Sequence, residues 1–231
     1  PEIQKEHLKH LFYEMEMPLV YVLNEMEKQG IAIDVEGLKE FSIQLEGKVN
    51  TLETSIKELA GMDFNIDSPK QLGDVLFEHL KISAKAKKTK TGQYATGEDI
   101  LQKHKNDHEI IPLILEYRQL RKLKSTYVDP LPTLTDPVDG RIHTSFMQTV
   151  TSTGRLSSNN PNLQNIPIRS ENGKEIRKAF ITRGEDYLMM SVDYSQIELR
   201  IIAALSKDPN MVEAFQNKHD IHTATAAKVF H

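Results

Sequence analysis

Cysteine is absent from the 231-residue chain, and this absence excludes disulfide bonds and thiolate metal sites. The lack of cysteine fits a reducing compartment, and we expect a cytoplasmic protein. No apolar run is long enough to cross a bilayer, and residues 1–7 lack the apolar core of a secretion signal, so a membrane is not an expected partner. The chain is long enough to bury a core and to form one or two domains.

An excess of positive charge is also lacking, since the formal net charge is −4. This value argues mildly against a nucleic-acid partner, although a global charge says little about one face of a protein. Basic residues gather in two short segments. The first segment contains Lys85, Lys87, Lys88 and Lys90, and the second contains Arg118, Arg121, Lys122 and Lys124. The plainest interpretation of both segments is a solvated surface.

Apolar side chains recur at helical spacing through the first half of the chain. Gly30 is a predicted C-terminal cap. Asp34 is the predicted N-cap of a long helix that ends at Gly61. Ser68 followed by Pro69 predicts the start of a further helix, because proline is favoured at the first helical position.

A change of pattern divides the remainder of the chain. Residues 81–97 are polar, basic and glycine-containing, which predicts a mobile loop. A second long helix is predicted over residues 107–127, and two long helices joined by a small tip indicate an antiparallel helical arm. Short apolar runs at 142–147, 179–182 and 187–192 then predict strands, so the predicted fold class is α+β.

Asp193 directly follows the apolar run 187–192, which the pattern predicts to be a buried strand. A carboxylate at a strand-to-helix turn is well placed to bind a metal, and oxygen ligands suit Mg²⁺. A lone aspartate at such a turn is more often a cap or turn residue. Ser195 to Glu198 also matches a capping box, which explains Glu198 without any substrate.

Residues 151–169 form a long polar block rich in amides and hydroxyls, with arginines at positions 155 and 169. These groups suit phosphate contacts and the acceptor edge of a DNA minor groove. The alternative is an ordered surface loop held by Asn and Ser turns, and the spacing does not exclude it.

Taken together, four blocks in one order resemble the family A DNA polymerases, the bacterial DNA polymerase I type. They are residues 122–127, 153–169, 193–200 and 220–226. The resemblance extends along essentially the whole chain, more loosely in the helical arm. It implies a DNA-directed DNA polymerase that adds deoxynucleotides to a primer 3′ end on a DNA template. It further implies deoxynucleoside triphosphates as substrates, two Mg²⁺ ions and a monomeric protein.

The resemblance also implies a role for each matching residue. Asp193 would be one of two aspartates that bind both metals, and the Tyr194 carbonyl would join the metal shell. Glu198 would exclude a ribose 2′-hydroxyl, and His222 would approach the triphosphate. The implied DNA-binding residues are Lys124, Arg155, Asn162, Gln164, Asn165 and Arg169, with Lys87, Lys88 and Lys90 at the tip of the arm.

The fold implied by the resemblance is a helical thumb arm plus part of an antiparallel-sheet palm. Residues 1–33 would be a helical base, 34–128 the thumb, 129–205 a partial palm and 206–231 the beginning of the fingers. The family's second aspartate and its triphosphate-gripping helix would follow His231. We therefore expect an internal piece of a larger protein that is inactive alone.

Other functions remain open from the sequence. A non-catalytic fragment that binds duplex DNA would use the same lysines and the same polar block. A single-subunit RNA polymerase relative is a further alternative, although Glu198 at the sugar-selecting position argues against it. A purely structural helical protein would bind neither DNA nor nucleotide. The Asp34-Val35-Glu36 triplet superficially matches an exonuclease motif, but its place at a helix start is explained by capping.

Overall fold

The computed structural model describes residues 2–5, 8–83, 86–217, 220, 221, 223 and 226, without the side chains of residues 2 and 5. The chain divides into two compact units, Pro1–Tyr187 and Leu188–His231. Within the described ranges, no helix is both long enough and apolar enough to span a membrane.

The first unit alternates helices with short strands. Its α-helices are α1 (Glu2–Lys5), α2 (Met17–Gln29), α3 (Val35–Ala60), α4 (Pro69–Asp74), α5 (Glu98–Lys103), α6 (Ile110–Leu123), α7 (Pro130–Thr133) and α8 (Glu171–Lys178). Three π-helical turns are π1 (Leu11–Glu16), π2 (Val75–His79) and π3 (Lys124–Val128). The strands are β1 (Ile31–Ile33), β2 (Arg141–Ile142), β3 (Ser145–Met147), β4 (Ser157–Asn159) and β5 (Phe180–Ile181).

Helices α3 and α6 form the predicted antiparallel arm. Ser42, near the start of α3, hydrogen-bonds Asp129 beyond the end of α6, whereas Asp67, beyond α3, accepts from Tyr117 within α6. The core between the helices is apolar and closed to solvent; its members include Leu45, Val49, Ile56, Ile110, Ile114 and Leu120. The two helices therefore hold each other by burial of apolar surface.

The predicted helix boundaries of the arm are confirmed. The Asp34 carboxylate accepts a hydrogen bond of 2.9 Å from the backbone N–H of Gly37. Gly61 ends α3 in the left-handed conformation, with φ at 67°. Ser68 caps α4, and Pro69 follows at its first position. Each of these helix boundaries depends on residues close to it in the sequence, so the sequence alone was enough to predict it.

The tip of the arm differs from the predicted loop. The Ala95 N–H bonds the Lys87 carbonyl at 2.8 Å, and Lys88 pairs with Tyr94 across a short antiparallel hairpin. The Tyr94 ring packs on Phe77 with the ring centroids 5.2 Å apart. The Tyr94 ring therefore helps to anchor a segment whose composition is otherwise typical of a loop.

A small antiparallel sheet forms in the order β2-β1-β5, and a separate pair joins β3 to β4. Ile31 pairs with Ile142, and Ile33 pairs with Phe180, so residues distant in sequence meet on β1. The α+β fold class is confirmed. The strand prediction was correct within 142–147 and 179–182, although β1 itself was not predicted.

The second unit contains α9 (Ile197–Ser206) and α10 (Pro209–Gln216). The Asp208 side chain caps α10, and the Arg200 guanidinium lies 4.5 Å from the centroid of the Phe215 ring. The prediction of a buried strand over 187–192 was wrong. Leu188 is 94% exposed and Val192 is 81% exposed, and no strand pairing includes this run among the described residues. A strand needs a hydrogen-bonded neighbour, which the apolar pattern alone cannot provide.

Candidate nucleic-acid interface and metal ligand

The polar block predicted to contact DNA continues beyond β4 as a loop that two apolar side chains anchor. Ile166 is only 8% exposed, and the partly buried Leu163 packs against the apolar core. Gln164 and Asn165 lie between these two anchors and are exposed, and so is Asn162 just before them. The anchors therefore hold the backbone while the amide side chains face solvent, where a ligand could reach them.

Two buried hydroxyl groups fix the beginning of this loop. The Thr144 hydroxyl lies 2.7 Å from the Ser158 hydroxyl and 2.7 Å from the Pro161 carbonyl. The Ser158 oxygen accepts a hydrogen bond of 3.1 Å from the Leu163 N–H. Buried polar groups are costly unless they are bonded, so this network favours one loop conformation. Thr144 was not predicted as a site residue, although a hydroxyl residue inside a short apolar run was a signal for it.

The far end of the loop is held from the arm. The Tyr127 hydroxyl donates a hydrogen bond of 2.6 Å to the Asn165 carbonyl. Within the loop, the Asn162 side chain accepts from the Gln164 N–H at 3.0 Å. Tyr127 was also missed as a site residue, although it closes the block that begins at Lys122.

In the sequence, Arg155 and Arg169 flank this loop, and Gly173 follows it. Both arginines are exposed, as contact with DNA requires. The Arg155 carbonyl accepts a hydrogen bond of 2.6 Å from the Thr151 hydroxyl. Past Pro167, α8 packs so closely that an added Cβ at Gly173 would lie 2.5 Å from the Pro167 carbonyl oxygen.

The predicted DNA-binding lysines lie in two different environments. Lys87, Lys88 and Lys90 are exposed on the hairpin, and the Lys88 ammonium lies 4.5 Å from the centroid of the Tyr94 ring. Lys85 lies outside the described residues. Lys124 is instead in ion pairs, at 2.8 Å from Asp129 and 3.3 Å from Glu46. Its contact with a phosphate stays a prediction.

Part of the second basic segment is not the solvated surface that its composition suggested. The half-buried Arg118 guanidinium hydrogen-bonds the Thr96 carbonyl, and burial lowers the pKa of Arg118. Arg121 pairs with Asp67 at 3.2 Å. These arginines tie the arm helix to its connecting segments.

The predicted metal ligand, Asp193, lies in an exposed segment without regular secondary structure, followed by Tyr194. The capping-box prediction was wrong, because α9 begins at Ile197 after Gln196, whose φ is 50°, and no side-chain cap is formed. Glu198 is in the first turn of α9 and exposed. His222, the predicted triphosphate contact, lies outside the described residues.

The oxygen atoms around Asp193 supply only some of the ligands that a divalent ion needs. The Asp193 carboxylate and the Tyr194 carbonyl are oxygen donors of the kind that Mg²⁺ prefers. However, the described part of the chain contains no group of three or more His, Asp or Glu side chains that could hold a metal. The described residues therefore do not form a complete metal site, and Asp193 could contribute only one carboxylate to it.

His143 links α2 to the strands that carry the loop. One ring nitrogen lies 2.7 Å from the Glu27 carbonyl at the end of α2, and the other lies 3.2 Å from the Asp139 carboxylate. The Glu27 carbonyl and then Asp139 raise the pKa of His143, against the opposing charge of Arg141. The positively charged form is therefore favoured in the folded protein.

This link predicts a pH dependence of stability. The pKa of His143 is higher in the folded protein than in the unfolded chain, where it is about 6.5. The stabilisation that protonated His143 gives the fold should therefore be fully present below about pH 6.5, and it should be lost as the pH rises through the pKa of the folded protein. Urea unfolding from about pH 5 to about pH 9 should show a wild-type advantage over His143→Gln that shrinks with increasing pH. Asp139→Asn should weaken the same trend, and an advantage independent of pH would contradict the link.

Comparison with known proteins gives the same family as the sequence blocks. Residues 35–231 match the family described as DNA polymerase family A. The chain is 50% identical to DNA polymerase I of Bacillus subtilis (strain 168) over 230 residues, which cover 100% of the chain and 26% of that protein. It is 48% identical to the thermostable DNA polymerase I of Thermus aquaticus over 226 residues, covering 98% of the chain and 27% of that protein.

A solved structure supports the same assignment. The POL domain of Pol1 from M. smegmatis, in complex with DNA primer-template and dNTP, superimposes with a TM-score of 0.88 at 42% identity. The match covers 98% of this chain and 40% of that one. The chain spans about a quarter of the length of the curated relatives, at 26% for the Bacillus subtilis protein. Polymerases of this type generally use divalent metal ions. By family match and by identity along its whole length, the chain belongs to the family A DNA polymerases.

Proposed function

We propose that the chain serves a template-dependent DNA polymerase, which transfers deoxynucleotides to the 3′ end of a primer. The observation that carries the proposal is the loop after β4. Leu163 and Ile166 hold its backbone, while Asn162, Gln164 and Asn165 are exposed. This arrangement, in a chain of family A, suits a surface that meets a duplex near the primer end.

The loop would act by checking the shape of the duplex. Arg155, Asn162 and Gln164 supply donors for the minor groove, where acceptors occur at every correct base pair. Such contacts depend on the geometry of the base pair and not on the DNA sequence. Arg169 would extend the same surface, and the hairpin lysines would bind phosphates farther along the duplex.

The chemical step would involve the second unit. Asp193, with the Tyr194 carbonyl, would contribute ligands to two divalent ions, which we propose to be Mg²⁺ because the donors are oxygen atoms. Bound ions of this kind neutralise charge on transferring phosphoryl groups. Glu198 would exclude the 2′-hydroxyl of a ribonucleotide, and His222 would contact the triphosphate.

We further propose how the domains follow one another along the chain. The helical base at 1–33 would lead into the thumb at 34–128, and the partial palm at 129–205 would lead into the fingers at 206–231. Lys124, at the end of the thumb, would contact backbone phosphate after leaving its ion pairs. The substrates would be primer-template DNA and deoxynucleoside triphosphates. We propose a monomer in the cytoplasm.

Duplex binding tests the proposed DNA surface directly. The chain should bind a primer-template duplex with an affinity that falls steeply as salt increases, because lysines that bind phosphates release counterions from the DNA. Replacing Lys87, Lys88 and Lys90 together with alanine should weaken binding and reduce the salt slope by about 0.9 for each phosphate that is no longer neutralised. Fluorescence anisotropy across a salt series measures both quantities.

A matched control separates the surface from the overall charge. Lys28, Lys39 and Lys48 are exposed lysines on α2 and α3, and their joint replacement changes the net charge by the same amount. This control should leave the salt slope unchanged. Equal effects of the two triple variants would refute the hairpin surface. Duplex binding without primer extension by the full-length protein would favour the non-catalytic alternative.

A further inference from the structure

The π-helical turn π3, Lys124–Val128, lies where the arm ends and where α7 begins. Its Lys124 carbonyl accepts from the Asp129 N–H at 3.0 Å, a hydrogen bond between residues five apart. Single π turns inside helices are rare and occur often at functional sites. Because a π turn contains more residues than an α turn, each residue rotates less about the axis, which changes the directions of side chains along the segment.

One side chain of π3 fixes this turn to the arm. Lys124 is 15% exposed, and its ammonium lies 2.8 Å from Asp129 and 3.3 Å from Glu46 of α3. The Ser42 hydroxyl of α3 adds a hydrogen bond of 2.7 Å to Asp129. The hydrogen bond to Asp129 raises the pKa of Lys124, so this side chain stays charged in the folded protein. These contacts therefore attach the turn to α3.

Another side chain of π3 reaches the loop. The Tyr127 ring packs against the apolar core, and its hydroxyl donates to the Asn165 carbonyl at 2.6 Å. The buried Thr144–Ser158 pair holds the opposite end of the loop from within the strands. Between these two attachments lie Asn162 and Gln164, which are exposed. The loop is therefore attached to the strands at one end and to the arm at the other.

We propose that the Tyr127–Asn165 hydrogen bond couples the arm to the exposed loop, and that Tyr127 is a positioning residue for duplex binding. The proposal rests on the proposed function, in which the loop meets DNA. The bond holds the Asn165 backbone in the position that directs the neighbouring amides outward. A change in the angle of the arm is passed to the loop through this hydrogen bond.

The chain offers a pair of matched tyrosines for the test. Tyr127→Phe removes one hydroxyl and leaves the ring packing in place. Tyr117→Phe removes the same atom from the arm interior, where the hydroxyl donates to Asp67 at 3.3 Å. Amide hydrogen exchange, measured by NMR on the 231-residue chain in the absence of DNA, reports how often the loop opens. Anisotropy with a primer-template duplex reports binding.

We expect Tyr127→Phe to increase exchange at the Leu163 to Ile166 amides about fivefold, the ratio that corresponds to loss of one ordinary hydrogen bond. Duplex affinity should fall about three- to fivefold with an unchanged salt slope, because every group that binds phosphate is still present. Tyr117→Phe should change neither loop exchange nor duplex affinity, although it lowers thermal stability.

The two readouts separate this proposal from the proposed function. Unchanged loop exchange in Tyr127→Phe would overturn the coupling, whatever the effect on DNA. Equal acceleration in Tyr117→Phe would also overturn it, because the effect would then be one of general stability. If the wild-type chain bound no duplex while Tyr127→Phe still loosened the loop, the coupling would stand and the proposed DNA surface would fail.

Discussion

Replacing Asp193 with alanine in the full-length polymerase should abolish primer extension while leaving duplex binding intact. The proposed role of this carboxylate is to help hold divalent ions, which contribute several kcal/mol to the transition state of phosphoryl transfer. Loss of about 4 kcal/mol corresponds to a rate decrease of about a thousandfold. Asp193 is exposed in its unit, so its removal should change stability little.

The measurement is single-turnover primer extension beside anisotropy with the same duplex. Asp186→Ala is a suitable control, because it removes an exposed aspartate a few residues earlier in the chain. We expect the control to retain normal extension. Extension by Asp193→Ala at a rate close to that of the control would refute the metal role, whereas parallel loss of DNA binding would indicate misfolding.

Gly173→Ala should destabilise the protein by about 2 kcal/mol, although alanine favours helices more than glycine does. Gly173 is buried in α8, and a new Cβ would lie 2.5 Å from the Pro167 carbonyl oxygen and 2.8 Å from the Pro167 Cβ. Backbone atoms on the facing segment cannot turn aside as a flexible side chain can. Either α8 or the segment before Arg169 must move, so duplex affinity should fall as well.

Gly47→Ala provides the matched control in α3. Gly47 is exposed, and a Cβ there would meet nothing within 4 Å. The substitution should stabilise the arm by about 0.5 to 1 kcal/mol, since alanine loses less backbone entropy in a helix. Urea unfolding of both variants gives the two free energies. A stabilising effect of Gly173→Ala would contradict the close approach of α8 to Pro167.

Features that depend on neighbouring residues were predictable from the sequence. Asp34 and Ser68 cap their helices because the side chain needs to reach only an N–H three residues ahead. Capping failed at Ser195 because α9 begins two residues later, after a left-handed Gln196. A potential capping side chain followed by three residues therefore forms a cap at some sites and not at others, because the pattern does not specify the backbone conformation at the helix start.

Features that need a distant partner were not predictable in this way. The run 187–192 has the composition of a buried strand, yet Leu188 and Val192 are exposed and unpaired with any described strand. Conversely, residues 86–97 have the composition of a loop, yet Lys88 and Tyr94 pair in a hairpin and the Tyr94 ring packs on Phe77. In each case the outcome depends on packing that apolar periodicity does not encode.

For this protein, the order of the motif blocks determined the family, and residue type with local spacing determined the helix caps and the exposed polar block. Tertiary structure decided which partners those residues meet. It placed Lys124 between Asp129 and Glu46, and it brought Tyr127 to the Asn165 carbonyl. The reason is that caps and turns are satisfied within a few residues, whereas ion pairs and loop anchors join residues that only the folded chain brings together.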